Sequence, residues 1–320
     1  MRAAGKKEQY MKSIALTGAT SMLGIALINE CIKRGTSVLA FARHGSKNMG
    51  RVPRSPLVSL VECDLEELGS FSGEAEAGVE CFFHVGWAFT DKEGRNSCLK
   101  QARNIECVLD AVHLAKRLGC RKFVGTGSQA EYGIATVKLN AALPCWPRTA
   151  YGVSKLAAGR LCALECDSLG LEFNWARILS IYGENDSEQS MIKCLMRRCH
   201  EGQPMKLGPC THVWDYLYAD DAGEALYLIA DKGGTGKVYP LGSGSGRPLK
   251  EYVREICEVI DPSYQPEYGA FGYGKDSVVH LEADITELTA DTGWMPSTQF
   301  KEGIRIMADK MFGGGCPRSR

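Results

Sequence analysis

The sequence predicts an α/β protein organised around a doubly wound parallel sheet, with a smaller C-terminal lobe. Three observations carry that expectation. Near the amino end an apolar run stops at a glycine-rich turn and passes straight into a helical pattern. Strand-like and helical stretches then alternate through the first half of the chain. Beyond Tyr182, clusters of Gly, Pro and Ser cut the chain into shorter elements and the clean alternation is lost. Repeated strand and helix units with apolar strands imply parallel pairing, because each crossover helix covers one face of the sheet.

The first unit runs from the strand Ile14-Ala15-Leu16 through Thr17-Gly18-Ala19-Thr20-Ser21-Met22-Leu23-Gly24 into a helix patterned by Ile25, Ala26, Leu27, Ile28, Cys31 and Ile32. A second strand, Ser37 to Phe41, follows Gly35. Such a turn lets a pyrophosphate approach the backbone closely, and the free N–H groups and positive dipole end of the helix hold its charge. This is the dinucleotide-binding unit of a Rossmann-type fold, with Gly18, Thr20, Ser21, Met22, Leu23 and Gly24 as its candidate contacts. Val58 to Cys63, Cys81 to Val85 and Lys122 to Thr126 read as further strands. Ligands on such sheets sit at the carboxyl ends of the strands. That rule puts the glycine turn, Asp64, the stretch His84 to Trp87, and Ser128 along one rim. Asp64 there also reads as a cap for Leu65-Glu66-Glu67.

Past Tyr182 the breaks fall at Gly202 to Pro209 and Gly242 to Pro248. The stretch Trp214 to Asp221 and a helix over Ala222 to Ala230 read as a return to the first domain.

Tyr151 and Lys155 stand four residues apart in Tyr151-Gly152-Val153-Ser154-Lys155, which opens a helical stretch. They therefore share a helix face. A cation near a phenol favours the ionised form and pulls its pKa down from about 10. A phenol tuned in this way exchanges a proton with a carbonyl or alcohol oxygen. Tyr and Lys at this spacing also recur on solvated helix faces, so the pair takes its meaning from the rest of the chain.

The glycine turn and the Tyr151/Lys155 pair, with Gly127-Ser128-Gln129-Ala130-Glu131-Tyr132-Gly133 between them, resemble the extended short-chain dehydrogenase/reductases, and within them the nucleotide-sugar epimerases, dehydratases and ketoreductases. The resemblance runs from about Ser13 to about Met311 and includes Ala176 to Gly183, Trp214 to Asp221 and Gly293-Trp294-Met295-Pro296. It implies a catalytic centre of Ser128, Tyr151 and Lys155, supported by Asn104, and it adds Asp64, Leu65 and Val85 to the cofactor contacts. It further implies a disordered lead over 1–12, a cofactor domain over 13–182, and a substrate lobe over 183–320 whose chain returns to the first domain around 212–240. A homodimer formed through two long helices of each subunit is also implied.

Four departures from the family bear on the reaction. Dehydratases carry Asp and Glu straight after the catalytic Ser or Thr; here Gln129 and Ala130 stand there, and neither acts as a general acid or base. Glu131 is one position off, and alternation along an extended chain turns it the other way. At the end of the second strand, Phe41-Ala42-Arg43-His44 holds no acid to bond a ribose 2′-hydroxyl. Arg43, with His44 or Lys47, is suited to grip a 2′-phosphate, which favours NADP(H) while leaving NAD(H) open; its other reading is a solvated loop residue. Ser21 replaces the middle glycine of the phosphate turn, and its hydroxyl is offered as a donor to phosphate. Trp214 stands where relatives carry an arginine for the substrate's diphosphate, leaving His212, Lys193, Arg197 or Arg198 to supply positive charge.

The expected reaction is therefore hydride transfer from NADPH to a nucleoside-diphosphate 4-keto-6-deoxyhexose, with Tyr151 as proton donor. The alternatives are an NAD-dependent nucleotide-sugar 4-epimerase, a reductase of a non-sugar ketone, and a non-catalytic NADP sensor. With 38 basic and 38 acidic side chains the formal charge is zero, so no basic surface recommends nucleic acid or an acidic membrane. The 14 cysteines include no Cys-x-x-Cys pair and no His at zinc spacing, so no metal is expected. Free buried thiols in a reducing, cytoplasmic compartment account for them. No apolar run approaches the roughly 20 residues that span a bilayer. Met1 to Lys12 lack the apolar core of a secretory signal, Met11 is a candidate natural start, and Gly313 to Arg320 read as a frayed tail.

Overall fold

The computed structural model describes residues 11–72, 78–274 and 278–313. In chain order its strands and helices are β1 (Ser13–Thr17), α1 (Met22–Arg34), β2 (Ser37–Ala42), β3 (Val58–Glu62), β4 (Cys81–His84), α2 (Cys98–Arg117), β5 (Lys122–Ser128), α3 (Ala150–Leu169), β6 (Glu172–Ile178), β7 (Ser180–Tyr182), α4 (Met191–Glu201), β8 (Val213–Trp214), β9 (Tyr216–Tyr218), α5 (Ala219–Lys232), β10 (Lys237–Leu241), β11 (Arg247–Pro248), α6 (Leu249–Ile260), α7 (Thr286–Thr292) and α8 (Phe300–Phe312). Seven strands form one parallel sheet in the order β10-β6-β5-β4-β1-β2-β3. This is the doubly wound α/β architecture expected. The order reverses between β1 and β4, and there the carboxyl ends leave a crevice.

Alternation along the strands builds two apolar layers. Ile14 and Leu16 point to one face and join Leu27 of α1 and Leu226 and Ile229 of α5. Ala15, Phe82 and Phe123 point to the other and join Val108 and Ala111 of α2 and Cys162 of α3. Gly223 allows the close crossing of α5 on α1, since a Cβ there would stand 2.6 Å from the Ala26 carbonyl carbon. A third cluster, with Tyr182, Leu195, Tyr252, Ile256 and Phe300, packs α4, α6 and α8 together in the second half.

Helix α5 starts at Ala219, three residues earlier than the pattern indicates, because Asp220 and Asp221 fill its first turn where the helix dipole favours acids. Strand β9 pairs with β7 in a separate two-stranded sheet, and β10 is the strand that joins the main sheet, beside β6. Residues 1–10 of the expected lead lie outside the described residues. Met11 within it is buried, and its N–H donates to the Tyr227 hydroxyl at 3.1 Å. Of the expected tail, 314–320 lie outside the described residues. Every cysteine among the described residues is a free thiol, and ten of these thirteen are buried. No helix among the described residues is long and apolar enough to cross a membrane.

Candidate active site

Gly18 leaves β1 with φ +76°, and a Cβ there would stand 2.7 Å from the Gly86 nitrogen, so only glycine fits. Gly24 packs directly over the Gly18 carbonyl, leaving no room for a side chain. Ser21 is the N-cap of α1: its Oγ accepts from Gly24 N–H at 3.0 Å and donates to the Gly18 carbonyl at 2.8 Å. This corrects the phosphate-donor reading of Ser21, whose hydroxyl proton is already committed within the turn. The charge-binding capacity lies instead in the N–H groups of Met22 and Leu23, which have no acceptor inside the helix.

A cavity of about 670 Å³ starts at this turn and runs along the rim. Gly18, Thr20, Ser21, Met22, Leu23, Arg43, Asp64, Leu65, Val85, Asn104, Tyr151 and Lys155 all line it. Gly24 and Ser128 are not part of its wall; Gly24 packs on the Gly18 carbonyl and Ser128 closes β5. A groove with a glycine cradle and a helix N-terminus at one end and a buried Tyr and Lys at the other fits a dinucleotide.

At the end near β2 and β3, Arg43 is exposed. Asp64 caps the short turn at Leu65–Ser70: it forms a capping box with Glu67, which accepts from Asp64 N–H at 2.8 Å. It also lines the cavity, so the capping role does not remove it from the rim. The structure adds acids that the end of β2 lacks. His44 Nε2 lies 3.0 Å from Glu67, His44 N–H donates to Asp64 at 3.0 Å, and Gly45 N–H donates to Glu62 at 3.0 Å. His44, Asp64 and Glu67 bring ligating atoms within 4.8 Å of one another, a convergence invisible at a separation of 20 residues.

At the other end, Ser128 closes β5, which outruns β4 by three residues: the last pair between them is His84 with Gly125. Ser128 Oγ accepts from Ala130 N–H at 3.2 Å, and Ser128 is among the groups that favour the Tyr151 phenolate. Glu131 does turn away from the cleft, though on a tight 3-10 turn rather than an extended chain. Buried, it accepts from Ser128 N–H at 2.8 Å, Trp175 Nε1 at 3.0 Å and Arg177 Nε at 2.7 Å. A fully bonded carboxylate of this kind fixes the strand end that carries Ser128.

Thr149 caps α3 by accepting from Gly152 N–H at 3.1 Å, which sets Tyr151 in the first turn. The electrostatics differ from the expectation. Lys155 is buried, and Nζ donates to the Thr126 carbonyl at 2.7 Å while lying 3.8 Å from the centre of the Trp87 ring and 6.0 Å from that of Tyr151. Burial pushes Lys155 down to about 7. Burial also raises Tyr151 above its usual range, and the cation that opposes this is Arg95, whose Cζ lies 4.5 Å over the phenol ring. Lys155 is thus not the charge that lowers Tyr151 here.

Asn104 is buried on α2: Oδ1 accepts from Ala88 N–H at 2.8 Å, and Nδ2 donates to Ala88 O at 3.2 Å and to Lys100 O at 3.5 Å. It pins the loop after β4. Gln101, one helical turn earlier, accepts from Trp87 Nε1 at 2.9 Å and donates to Phe89 O and Gly94 O at 2.9 and 3.1 Å. Trp87, Arg95 and Gln101 are residues that motif reading missed, and no local pattern announces them. His84 beneath is buried and pushed down to about 3, with Nδ1 3.1 Å from Thr17 Oγ1, which also accepts from Gly86 N–H.

A family model described as the NAD dependent epimerase/dehydratase family matches residues 14–242. The dTDP-glucose 4,6-dehydratase of Haemophilus influenzae is 22% identical over 92% of this chain and 96% of its own length. Other relatives match over 46 to 57% of their length. Among solved structures, UDP-glucose 4-epimerase of Thermus thermophilus in complex with NAD superposes with a TM-score of 0.82 at 21% identity, covering 95% of this chain and 100% of that one. RMD of Pseudomonas aeruginosa complexed with NADPH gives 0.76 at 20% identity, covering 93% and 98%. At these identities the two structural likenesses speak for the fold.

Proposed function

The chain belongs to the NAD-dependent epimerase/dehydratase family of enzymes, and from that premise we propose that it is an NADPH-dependent reductase of a keto sugar, most specifically of a nucleoside-diphosphate 4-keto-6-deoxyhexose. The carrying observation is the convergence of Tyr151 and buried Lys155 at one end of a cavity whose other end is the glycine turn, with Ser128 closing β5 and favouring the Tyr151 phenolate. In this reading Gly18, Thr20, Met22 and Leu23 hold the pyrophosphate, Asp64, Leu65 and Val85 flank the adenosine half, and Lys155 and Tyr151 face the nicotinamide half. A bound nicotinamide supplies a hydride.

The chain's own groups manage the proton and the developing charge. Tyr151 Oη gives its proton to the carbonyl oxygen as that oxygen becomes alkoxide. The Ser128 hydroxyl donates into the same centre, where donors act on charge that grows in the transition state. Dehydration is not proposed, because Gln129 and Ala130 open the turn after Ser128 and offer no acid and base pair. Residues 13–182 with the return at 212–240 form the cofactor domain of this proposal, and the remainder forms its substrate lobe.

NADP(H) is the proposed cofactor, on the strength of exposed Arg43 lining the cavity. The second reading, a 4-epimerase with resident NAD, is favoured by Glu62 and Glu67 beside His44 and Gly45, since carboxylates at that place repel a 2′-phosphate. A homodimer through α2 and α3 is also proposed. Val153, Leu161 and Leu164 leave an exposed apolar stripe on α3, and Leu99 is exposed on α2. Free thiols among the described residues suit a cytoplasmic setting.

The four groups expected to meet the substrate's diphosphate already have partners within the protein. Lys193 and Arg197 both bind Glu188, Arg198 donates to Pro204 O at 2.8 Å, and His212 stacks on Tyr273. The deciding experiment is mass spectrometry of small molecules carried through purification, followed by calorimetry with NADPH, NAD, UDP and dTDP. Retained or tighter NADP(H), with oxidation of NADPH by keto sugars, is expected. Retained NAD with no net NADPH oxidation gives the epimerase instead, and failure of both UDP and dTDP to bind removes the nucleotide from the substrate.

A further inference from the structure

We propose that Arg95 is a positioning residue of this site: its guanidinium, laid on the Tyr151 ring by the loop after β4, is the fixed positive charge that serves the phenol, the part that motif reading gives to Lys155. The inference rests on the reading of Tyr151 as proton donor.

Geometry separates the two cations. Arg95 Cζ lies 4.5 Å from the centre of the Tyr151 ring, whereas Lys155 Nζ lies 6.0 Å away and is spent on the Thr126 carbonyl and the Trp87 face. Arg95 lines the same cavity as Tyr151. The acids of its own loop are engaged elsewhere: Asp91 accepts from Gly94 N–H at 2.9 Å, and Glu93 faces Lys100 at 3.8 Å.

The loop is also built to hold Arg95 where it is. Gly94 O accepts from the buried Gln101 amide, Arg95 N–H donates to Asp91 O at 3.0 Å, and Phe89 is held at φ +58°, a conformation rare for a residue with a side chain. Phe89, Asp91 and Gly94 on the loop and Gln101 on α2 thus spend polar groups or strain on fixing the backbone that carries this guanidinium.

Among the described residues, Arg95 and Trp87 on the loop and Lys155 on its own helix stand against the Tyr151 ring, while Ser128 at the end of β5 and buried Glu131 on the turn after it act on the phenol's charge. Glu131 works against the phenolate. Arg95 and Ser128 favour it, and Arg95 also disfavours a second cation at Lys155. A guanidinium remains charged throughout the working range, so it tunes the phenol without titrating itself. Lys155, brought near neutrality, is then free to exchange protons.

The test uses the intact protein labelled with ¹³C at tyrosine Cζ and lysine Cε, followed by NMR between about pH 6 and about pH 11, with Tyr151→Phe assigning the Tyr151 signal. Arg95→Met is expected to delay the onset of Tyr151 ionisation by about one unit or more and to raise the Lys155 midpoint, as removal of a cation within 4–6 Å does. Arg95→Lys restores most of both shifts, and Lys155→Met moves the Tyr151 onset less than Arg95→Met does. A larger shift in Lys155→Met, or an unmoved Tyr151 in Arg95→Met, overturns the proposal. Arg95→Gln repeats the measurement should the Met variant fold poorly, and dinucleotide calorimetry on each variant reports an intact cleft. An enzyme that fails to pass hydride to any ketone undoes the reductase reading and leaves this titration standing.

Discussion

The two ends of the cleft reach their function by different construction. At the glycine turn, the groups aimed at a ligand are backbone N–H donors from one contiguous stretch, Gly18 to Gly24, and the side chain of Ser21 serves only to cap the helix behind them. At the Tyr151 end the groups are side chains, and they arrive from separate segments: Trp87 and Arg95 from a loop, Gln101 and Asn104 from α2, Ser128 from β5, Tyr151 and Lys155 from α3. Backbone donors cannot be retuned by neighbours, so that end fixes position and binds charge. Buried side chains such as Lys155 take their acidity from what surrounds them, and that end is where chemistry can be adjusted.

If the division holds, damage at the Tyr151 end must cost rate and spare binding. The largest effect is expected for Tyr151→Phe. Removing the proton donor should lower turnover by about 10²–10⁴-fold and leave dinucleotide affinity, measured by calorimetry, within about twofold of wild type. Turnover near wild type removes Tyr151 from the mechanism. A parallel loss of affinity means that the two ends are not separate devices.

The next effect concerns stability, and its sign follows from Lys155. Its folded pKa, about 7, lies below the ordinary lysine value of 10.5. Between those limits the unfolded chain binds more protons than the folded one, so the folded state gains stability as pH rises from about 7 towards 10.5. Below about pH 7 both states carry the proton and the full penalty of burying the charge is present. Lys155→Met should therefore melt higher than wild type at pH 6, by an amount worth on the order of a few kcal/mol, and the gap should close by about pH 10. A gap that is constant with pH assigns the gain to packing instead. A stabilised but inactive variant would be the mark of a side chain kept for reaction at the expense of the fold.

The same contrast decides what the sequence could reveal. Gly18, Ser21 and Gly24 are legible because a strand, a tight turn and a helix start impose local constraints, and local constraints leave local spacing. The parallel, doubly wound sheet and the Tyr151/Lys155 pair are legible for the same reason, as alternation of strand and helix patterns and as one helix turn. Arg95 is not, because its partner is 56 positions away and nothing in Glu93-Gly94-Arg95-Asn96 marks a guanidinium bound for a phenol ring. Asn104 was visible as a residue but its job was not: whether an amide faces a lysine or clamps the Ala88 peptide depends on where the loop after β4 comes to rest. Glu131 shows the intermediate case, with the right direction expected from the wrong backbone conformation.

The smallest effect is expected at Arg43, where the backbone end acquires its single tunable side chain. Arg43 is exposed at the cavity wall, so solvent and salt screen whatever charge it meets. Nearby, Glu62 and Glu67 bind Gly45 N–H and His44, which places negative charge at the same edge. A 2′-phosphate there is attracted by one group and repelled by two. Arg43→Ala should accordingly weaken NADP(H) by about tenfold, equivalent to about 1.4 kcal/mol, leave NAD(H) nearly unchanged, and lose half or more of that difference at high salt. Equal losses for both dinucleotides would show that Arg43 supports the loop rather than the phosphate. An unchanged preference would show that the carboxylates on His44 and Gly45 set the choice, and the balance would then pass to NAD and with it to the epimerase reading.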